Sequence, residues 1–176
     1  VTILKVFSLW LKIPLGDYDL AYLAYEIERK KLFMSGGKQD QYAATFGGFN
    51  FMEFYSNDKV IVNPLRINLD NIYELEHNIL LYFTGKSRYS SDIIDSQTKN
   101  IKNKNINSVK EMNNIKNLAY ELKNNLLIGD IDSFGPILHK GWISKKKYSY
   151  RVLTSNSRIE NIFHKTHIND NIIFNI

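Results

Sequence analysis

Apolar residues recur along this 176-residue chain in two rhythms, and the changes of rhythm mark its elements. Ile3, Leu4, Phe7, Trp10 and Leu11 stand three and four apart, the spacing of one helical face, with Ser8 and Lys12 on the other side. Pro14 and Gly16 end that helix. The spacing predicts a second helix over 19–32, capped by Asp17 or Asp19. Leu20, Leu23, Ala24 and Ile27 form its buried stripe, and Glu26, Glu28, Arg29, Lys30 and Lys31 its wetter side. The rhythm then shortens. Phe49–Tyr55 and Lys59–Asn63 flank a Ser56-Asn57-Asp58 turn and read as a β-hairpin, with the aromatics as core packing. Pro64 keeps the second strand from running on as a central one.

The second half repeats the scheme. Residues 78–84 are a nearly continuous apolar run, which predicts a strand buried on both faces. Met112, Ile115, Ala119, Leu122 and Leu126 give an amphipathic helix ended by Gly129. Asp130 or Asp132 opens another, in which Pro136 is tolerated in the first turn and Phe134, Ile137, Leu138 and Trp142 face inward. A further helix over 157–167 and a strand over 168–176 complete the pattern. Strands and helices in this order predict an α+β fold of two layers, helices on a mixed or antiparallel sheet.

Composition narrows the function classes. The chain has no cysteine, which excludes disulfides and thiolate zinc sites and fits a reducing compartment. No stretch reaches the ~20 apolar residues of a membrane span, and no basic segment followed by a cleavable apolar core opens the chain. The net charge of +5 admits anionic partners, but surface composition explains it as well. The basic Lys/Asn stretch over 99–110 has no interleaved aromatics, so a mobile connection is preferred to a nucleic-acid arm. His139, His164 and His167 have no partners at metal-ligand spacing and read as surface or packing residues.

Candidate chemistry gathers in Ser35–Gly48, which holds four of the nine glycines. Asp40 follows the Gly36-Gly37 pair at the start of a short helix, where a flexible loop can bring a carboxylate to a substrate hydroxyl. A plain turn with a solvated Asp fits the spacing equally well. Lys38 stands either to interact with Asp40, to meet a substrate phosphate, or to point into solvent.

Gly36-Gly37-Lys38-Gln39-Asp40-Gln41-Tyr42 and Phe46-Gly47-Gly48-Phe49-Asn50-Phe51 closely resemble the central segment of the GHMP small-molecule kinases. Leu23–Arg29 before the loop, Val60–Ile67 after it and, more weakly, Tyr82–Arg88 extend the likeness, in an order more specific than any single motif. It covers about residues 1–160 and is greatest from 14 to 67. Within the family it is strongest to the branch acting on heptose 7-phosphate. The resemblance implies a partial GHMP kinase fold. Residues 1–67 would be the remainder of the N-terminal domain, like domain 2 of ribosomal protein S5, and 68–176 part of a ferredoxin-like C-terminal domain.

It further implies transfer of the ATP γ-phosphoryl to the anomeric hydroxyl, feeding nucleotide-activated heptose for lipopolysaccharide, capsule or surface-layer glycans. Asp40 would be the catalytic acid group, and Glu28 the ligand of the nucleotide's Mg²⁺. Gly36, Gly37, Lys38, Gln39 and Arg88 would contact substrate. The expected partners are ATP and a sugar phosphate, in the cytoplasm, with neither nucleic acid nor membrane; a homo-oligomer is left open. For Glu28 an exposed pair with Lys31 is an equal alternative, and for Arg88 a solvated helix start. Phe33 and Ser35 depart from the Gly and Pro common in relatives. No Gly-Leu-Gly-Ser-Ser type of phosphate loop occurs in the 176 residues, so the chain is expected to be truncated at both ends relative to an intact kinase. The alternatives are a non-catalytic kinase-like fragment with weak or no sugar-phosphate binding, and a basic interaction module.

Overall fold

A computed structural model describes residues 1–81, 106–148 and 172–174. Arg88, His164, His167 and the helix expected over 157–167 lie outside them. The chain forms two compact units, Val1–Arg66 and Ile67–Ile176.

In the first unit, helix α1 (Thr2–Trp10) reverses the expected burial. Ser8 is buried, while Ile3, Phe7, Trp10 and Leu11 are exposed, Ile3 and Trp10 at 72% each. The turn after the helix explains this. Lys12 takes φ 54°, and the chain doubles back so that the Ile13 N–H donates to the Ser8 carbonyl at 2.9 Å. The Ser8 hydroxyl in turn donates to the Ile13 carbonyl at 2.7 Å, so the polar face is the one covered.

Helix α2 (Asp17–Tyr25) is capped by neither proposed aspartate, since Asp17 and Asp19 both lie inside its first turn. Gly16 is the N-cap, and its N–H donates back to Asp19 Oδ2 at 3.2 Å, the reciprocal half of a capping box. After Tyr25 the helix widens into a π-helical turn, Glu26–Lys31, closed by the Leu32 N–H donating to the Ile27 carbonyl at 2.9 Å. Such a turn carries an extra residue and so re-aims the side chains that follow. Arg29, expected on the wet side, thereby becomes largely covered, with 12% of its side chain exposed.

Helix α3 (Gln39–Phe46) packs on α2, and strands β1 (Asn50–Phe54) and β2 (Val60–Pro64) pair antiparallel, from Asn50 opposite Pro64 to Phe54 opposite Val60. Their core joins Ala21, Tyr42 and Val62, with Phe46, Met52 and Val60 against it. The Tyr42 ring stacks on Phe46 and meets Phe54 edge-on at 5.8 Å. The Val62 N–H donates to the Tyr18 hydroxyl at 3.0 Å, tying strand to helix. Phe49, Phe54 and Tyr55 are exposed, so the hairpin's aromatics are not all core as expected. Met52 and Val62, opposite one another in register, fill the inner side; Phe54 shares that face but ends the strand, and Phe49 and Tyr55 lie just outside it.

In the second unit, α4 (Leu69–His77) is capped by Asn68, whose Oδ1 accepts the Asp70 N–H at 3.2 Å. Strand β3 (Ile79–Leu81) runs parallel to β4 (Ile172–Phe174). Leu80 is exposed, so β3 is not buried on both faces. Helix α5 (Ile106–Ile128) begins inside the stretch expected to be a mobile connection, so residues 106–110 are helical. A basic, Asn-rich sequence does not prevent helix when a partner packs beside it. Gly129, at φ 81°, ends α5, and in the turn that leads into α6 (Phe134–Tyr148) Asp130 accepts from the Ser133 N–H at 3.3 Å and the Ser133 hydroxyl at 2.5 Å. Leu126, Ile131, Phe134 and Ile137 are buried, whereas Met112 and Ala119 of the expected stripe are exposed. Hydrogen bonds from Ser144 and Asn114 hold the pKa of the Glu111 carboxyl below its ordinary value, and the Ser144 bond fastens α6 to α5. Among the described residues, helices with two separate two-stranded sheets, one antiparallel and one parallel, are compatible with the α+β class.

Candidate active-site loop

The 35–40 loop is built around one guanidinium. The π-helical turn carries Arg29 under the loop, where its Nε donates to the Gly37 carbonyl at 3.1 Å and Nη1 to the Ser35 carbonyl at 3.0 Å. Nη2 faces two carboxylates, Glu28 Oε2 at 3.7 Å and Asp40 Oδ2 at 4.0 Å. Gly36 lies between the two accepting carbonyls at φ 153°, and a Cβ there would fall 2.5 Å from Arg29 Cζ. The loop is thus closed on a planar cation that needs a residue without a side chain beside it. Phe33, at the mouth of the loop, takes φ 53° with 85% of its surface exposed.

Asp40 lies in the first turn of α3 with 87% of its side chain exposed. Its approach to Arg29 is longer than a hydrogen bond, so the carboxylate is left free to accept. Glu28 does not pair with Lys31. Its Oε2 accepts from Gln41 Nε2 at 2.5 Å, and Gln41 is itself 2% exposed. One side of the Glu28 carboxylate is therefore fixed, and Oε1 is left as the oxygen able to meet a cation. Among the described residues no three His, Cys, Asp or Glu side chains converge as metal ligands. A single carboxylate suits Mg²⁺, which takes one or two protein carboxylates and fills its shell from phosphates and water. Gln39 and Gly37 are exposed beside Asp40 in sequence, and Gly36 is half-buried.

Lys38 does not turn to Asp40. Its ammonium pairs with Asp58 in the hairpin turn and lies 5.0 Å from the Tyr25 ring centre, with 14% of its side chain exposed. Lys30 lies 5.3 Å from the Tyr22 ring centre and binds Glu26 Oε1 at 2.8 Å and the Tyr22 hydroxyl at 3.1 Å. The Glu26 bond pushes the Lys30 pKa above its ordinary value, and Lys30 holds that of Glu26 below its own. Arg29, Gln41, Asp58 and the two tyrosines were not among the expected site residues. The Glu28-Arg29 pair was the one available signal for Arg29, and its role depends on a turn that periodicity does not show.

The Lys38 hydrogen bond holds the Asp58 carboxyl below its ordinary value of 3.8. A depressed acid contributes stability above its ordinary value and loses it as pH falls through the folded one. Asp58→Asn is therefore expected to be less stable than the parent at neutral pH and equal to it at about pH 2. Urea midpoints at the two pH values check this, and high salt should shrink the neutral difference because Asp58 is exposed.

No family model matches the chain. It is 48% identical over 163 residues to the D-glycero-alpha-D-manno-heptose 7-phosphate kinase of Campylobacter jejuni subsp. jejuni serotype O:2, covering 93% of this chain and 47% of that protein. Among solved structures it is similar to a D-glycero-D-manno-heptose 1-phosphate kinase from Bacteriodes thetaiotaomicron, with a TM-score of 0.66, 47% identity, and 88% of this chain and 44% of that one covered. A second similar structure, designated a sugar kinase of Campylobacter jejuni, has a TM-score of 0.59, 41% identity, and covers 92% of this chain and 44% of its own. The chain is a relative of sugar kinases. Its likeness is to the heptose phosphate kinases, and it spans about half the length of the curated relative it matches.

Proposed function

We propose that these residues supply the acceptor-activating part of an ATP-dependent, GHMP-type sugar kinase that phosphorylates the anomeric hydroxyl of heptose 7-phosphate. The observation that carries the reading is Asp40. It is an exposed carboxylate at the end of a tethered loop, with the Arg29 guanidinium, 4.0 Å away, too distant to occupy it. Asp40 orients the sugar hydroxyl and takes its proton as the oxygen attacks. The new bond joins the anomeric oxygen to the γ-phosphorus, the bond from that phosphorus to the β-bridging oxygen breaks, and ADP leaves. Phosphoryl transfer of this kind needs in-line positioning and charge neutralisation more than covalent help. Glu28 would hold Mg²⁺, which when bound neutralises phosphate oxygens. The loop at Gly36 and Gly37, with Gln39, would line the sugar, and Arg88 would meet its phosphate. The chain spans 47% of the Campylobacter jejuni kinase, so the complete reaction is proposed for a kinase of that full length and not for these 176 residues alone.

One observation favours a second reading, a kinase-like module with weak or no sugar-phosphate binding: Lys38, the cation nearest Asp40 in sequence, is committed to Asp58. The test is a chimera in which this chain replaces the matching stretch of the Campylobacter jejuni kinase. ADP release that depends on heptose 7-phosphate, with a new anomeric phosphate by phosphorus NMR, is the expected result. Heptose 1-phosphate serves as the control acceptor. A folded chimera that binds ATP but releases no ADP with heptose 7-phosphate would overturn the kinase reading in favour of the second.

A further inference from the structure

We propose that Arg29 is the positioning residue of this site: its guanidinium clamps the 35–40 loop through the loop's own carbonyls and so sets where the Asp40 carboxylate stands. The clamp is a statement about the loop alone. Its consequence for turnover rests on the kinase reading above.

Four features require one another. The first is burial. With 12% of its side chain exposed, the Arg29 guanidinium has left most of its water, and a buried charge must be paired and hydrogen-bonded. The second is the pairing itself. Two donors go to the Ser35 and Gly37 carbonyls, and the third nitrogen faces Glu28 and Asp40. A planar fork can address two carbonyls two residues apart while turning a third edge to two acids; a lysine ammonium is a single point and cannot. The third is Gly36, whose absent side chain leaves the space the guanidinium fills, since an added Cβ would lie 2.5 to 2.8 Å from three of its atoms. The fourth is the π-helical turn, without which Arg29 would stay on the solvent side of α2. Gln41 completes the arrangement from the other side by holding Glu28 Oε2, which keeps the Glu28 carboxylate beside the guanidinium.

Arg29 lies beneath the loop carbonyls, so it acts on the acceptor through Asp40. A loop freed from the clamp would let Asp40 wander, and a misplacement of about 1 Å in a reacting group costs about 100-fold in rate.

The test has two arms. In the first, amide hydrogen exchange is followed on the chain itself, as parent, Arg29→Lys and Lys31→Ala, the last removing a neighbouring cation from the same turn. Arg29→Lys should speed exchange at residues 36–40 about tenfold or more while the amides of Ala21 and Ala24 in the core keep the parental rate. Lys31→Ala should match the parent. In the second arm the chimera is assayed. Arg29→Lys should lower kcat about 100-fold with the ATP KM within about threefold. Arg29→Ala should recover part of the loss on adding free guanidinium at low millimolar concentration, and none with ammonium. A purely structural role would not give that recovery.

Unchanged exchange at 36–40 in Arg29→Lys overturns the clamp. A loosened loop with unchanged kcat in an active chimera overturns its role in placing Asp40. An inactive parental chimera together with a loosened Arg29→Lys loop supports the clamp and sinks the kinase reading instead.

Discussion

Asp40→Ala, placed in the active chimera, is expected to lower kcat by about 10² to 10⁴-fold while leaving the ATP KM within about threefold. The range is that of a positioned general base, and the split follows from geometry. Asp40 is exposed and its carboxylate lies 4.0 Å from Arg29, so removing it empties a place at the acceptor and disturbs no packed neighbour. Asp40→Asn should do nearly the same damage. An amide keeps the shape and can still touch the hydroxyl, but it does not take the proton. Because neither variant removes core contacts, both should melt with the parent. A variant that keeps parental turnover would remove Asp40 from the reaction. One that loses turnover and stability together would make the residue structural.

Much of the first unit was legible because local signals agreed there. The hairpin followed from alternating apolar residues on either side of Ser56-Asn57-Asp58, and Asp58 takes φ 64° in that turn as such a sequence favours. In the second unit Gly129 closed α5 as expected, and Asp130 lies in the turn before α6 with Ser133 as its partner. Two kinds of information were not in the pattern. One is which apolar face meets a partner. The stripe on α1 is plain in the sequence, yet the chain reversal at Lys12 covers Ser8 and leaves Ile3 and Trp10 outside. Periodicity reports that a face is apolar and is silent on what lies against it. The other is a break in periodicity itself. A window set to 3.6 residues per turn carries Arg29 to the solvent side, and only the π-helical turn brings it under the loop.

The loop's chemistry was half visible for the same reason. Asp40 and the Gly36-Gly37 pair are neighbours in sequence, so their juxtaposition could be read directly. The Lys38 to Asp58 pair joins positions twenty residues apart, across a hairpin whose register had to be folded first. Lys38 therefore had three readings by sequence, and the structure selects one that none of them named. Gln41 was hidden for a different reason. It is a polar residue in the middle of a core stretch, 2% exposed, and its burial makes sense only once Glu28 is seen accepting its amide.

Gly36→Ala is expected to lower the thermal midpoint by roughly 5 to 10 °C, which corresponds to about 1 to 2 kcal/mol for a unit of this size. Two effects contribute. At φ 153° a side chain is strained, at about 1 to 3 kcal/mol. The new methyl would also meet the guanidinium of Arg29 at 2.5 Å, so the cation must shift and its hydrogen bonds to Ser35 and Gly37 lengthen or break. Relaxation of a surface loop offsets part of both, and the Ala21, Tyr42 and Val62 core is untouched, so the unit should still fold. A double-mutant cycle separates the causes. With Arg29→Ala the obstacle is gone, and Gly36→Ala should then lower the midpoint by less than half as much as in the parent. If the two substitutions add instead, backbone strain alone accounts for the glycine, and the close fit of Gly36 to the guanidinium carries no energy of its own.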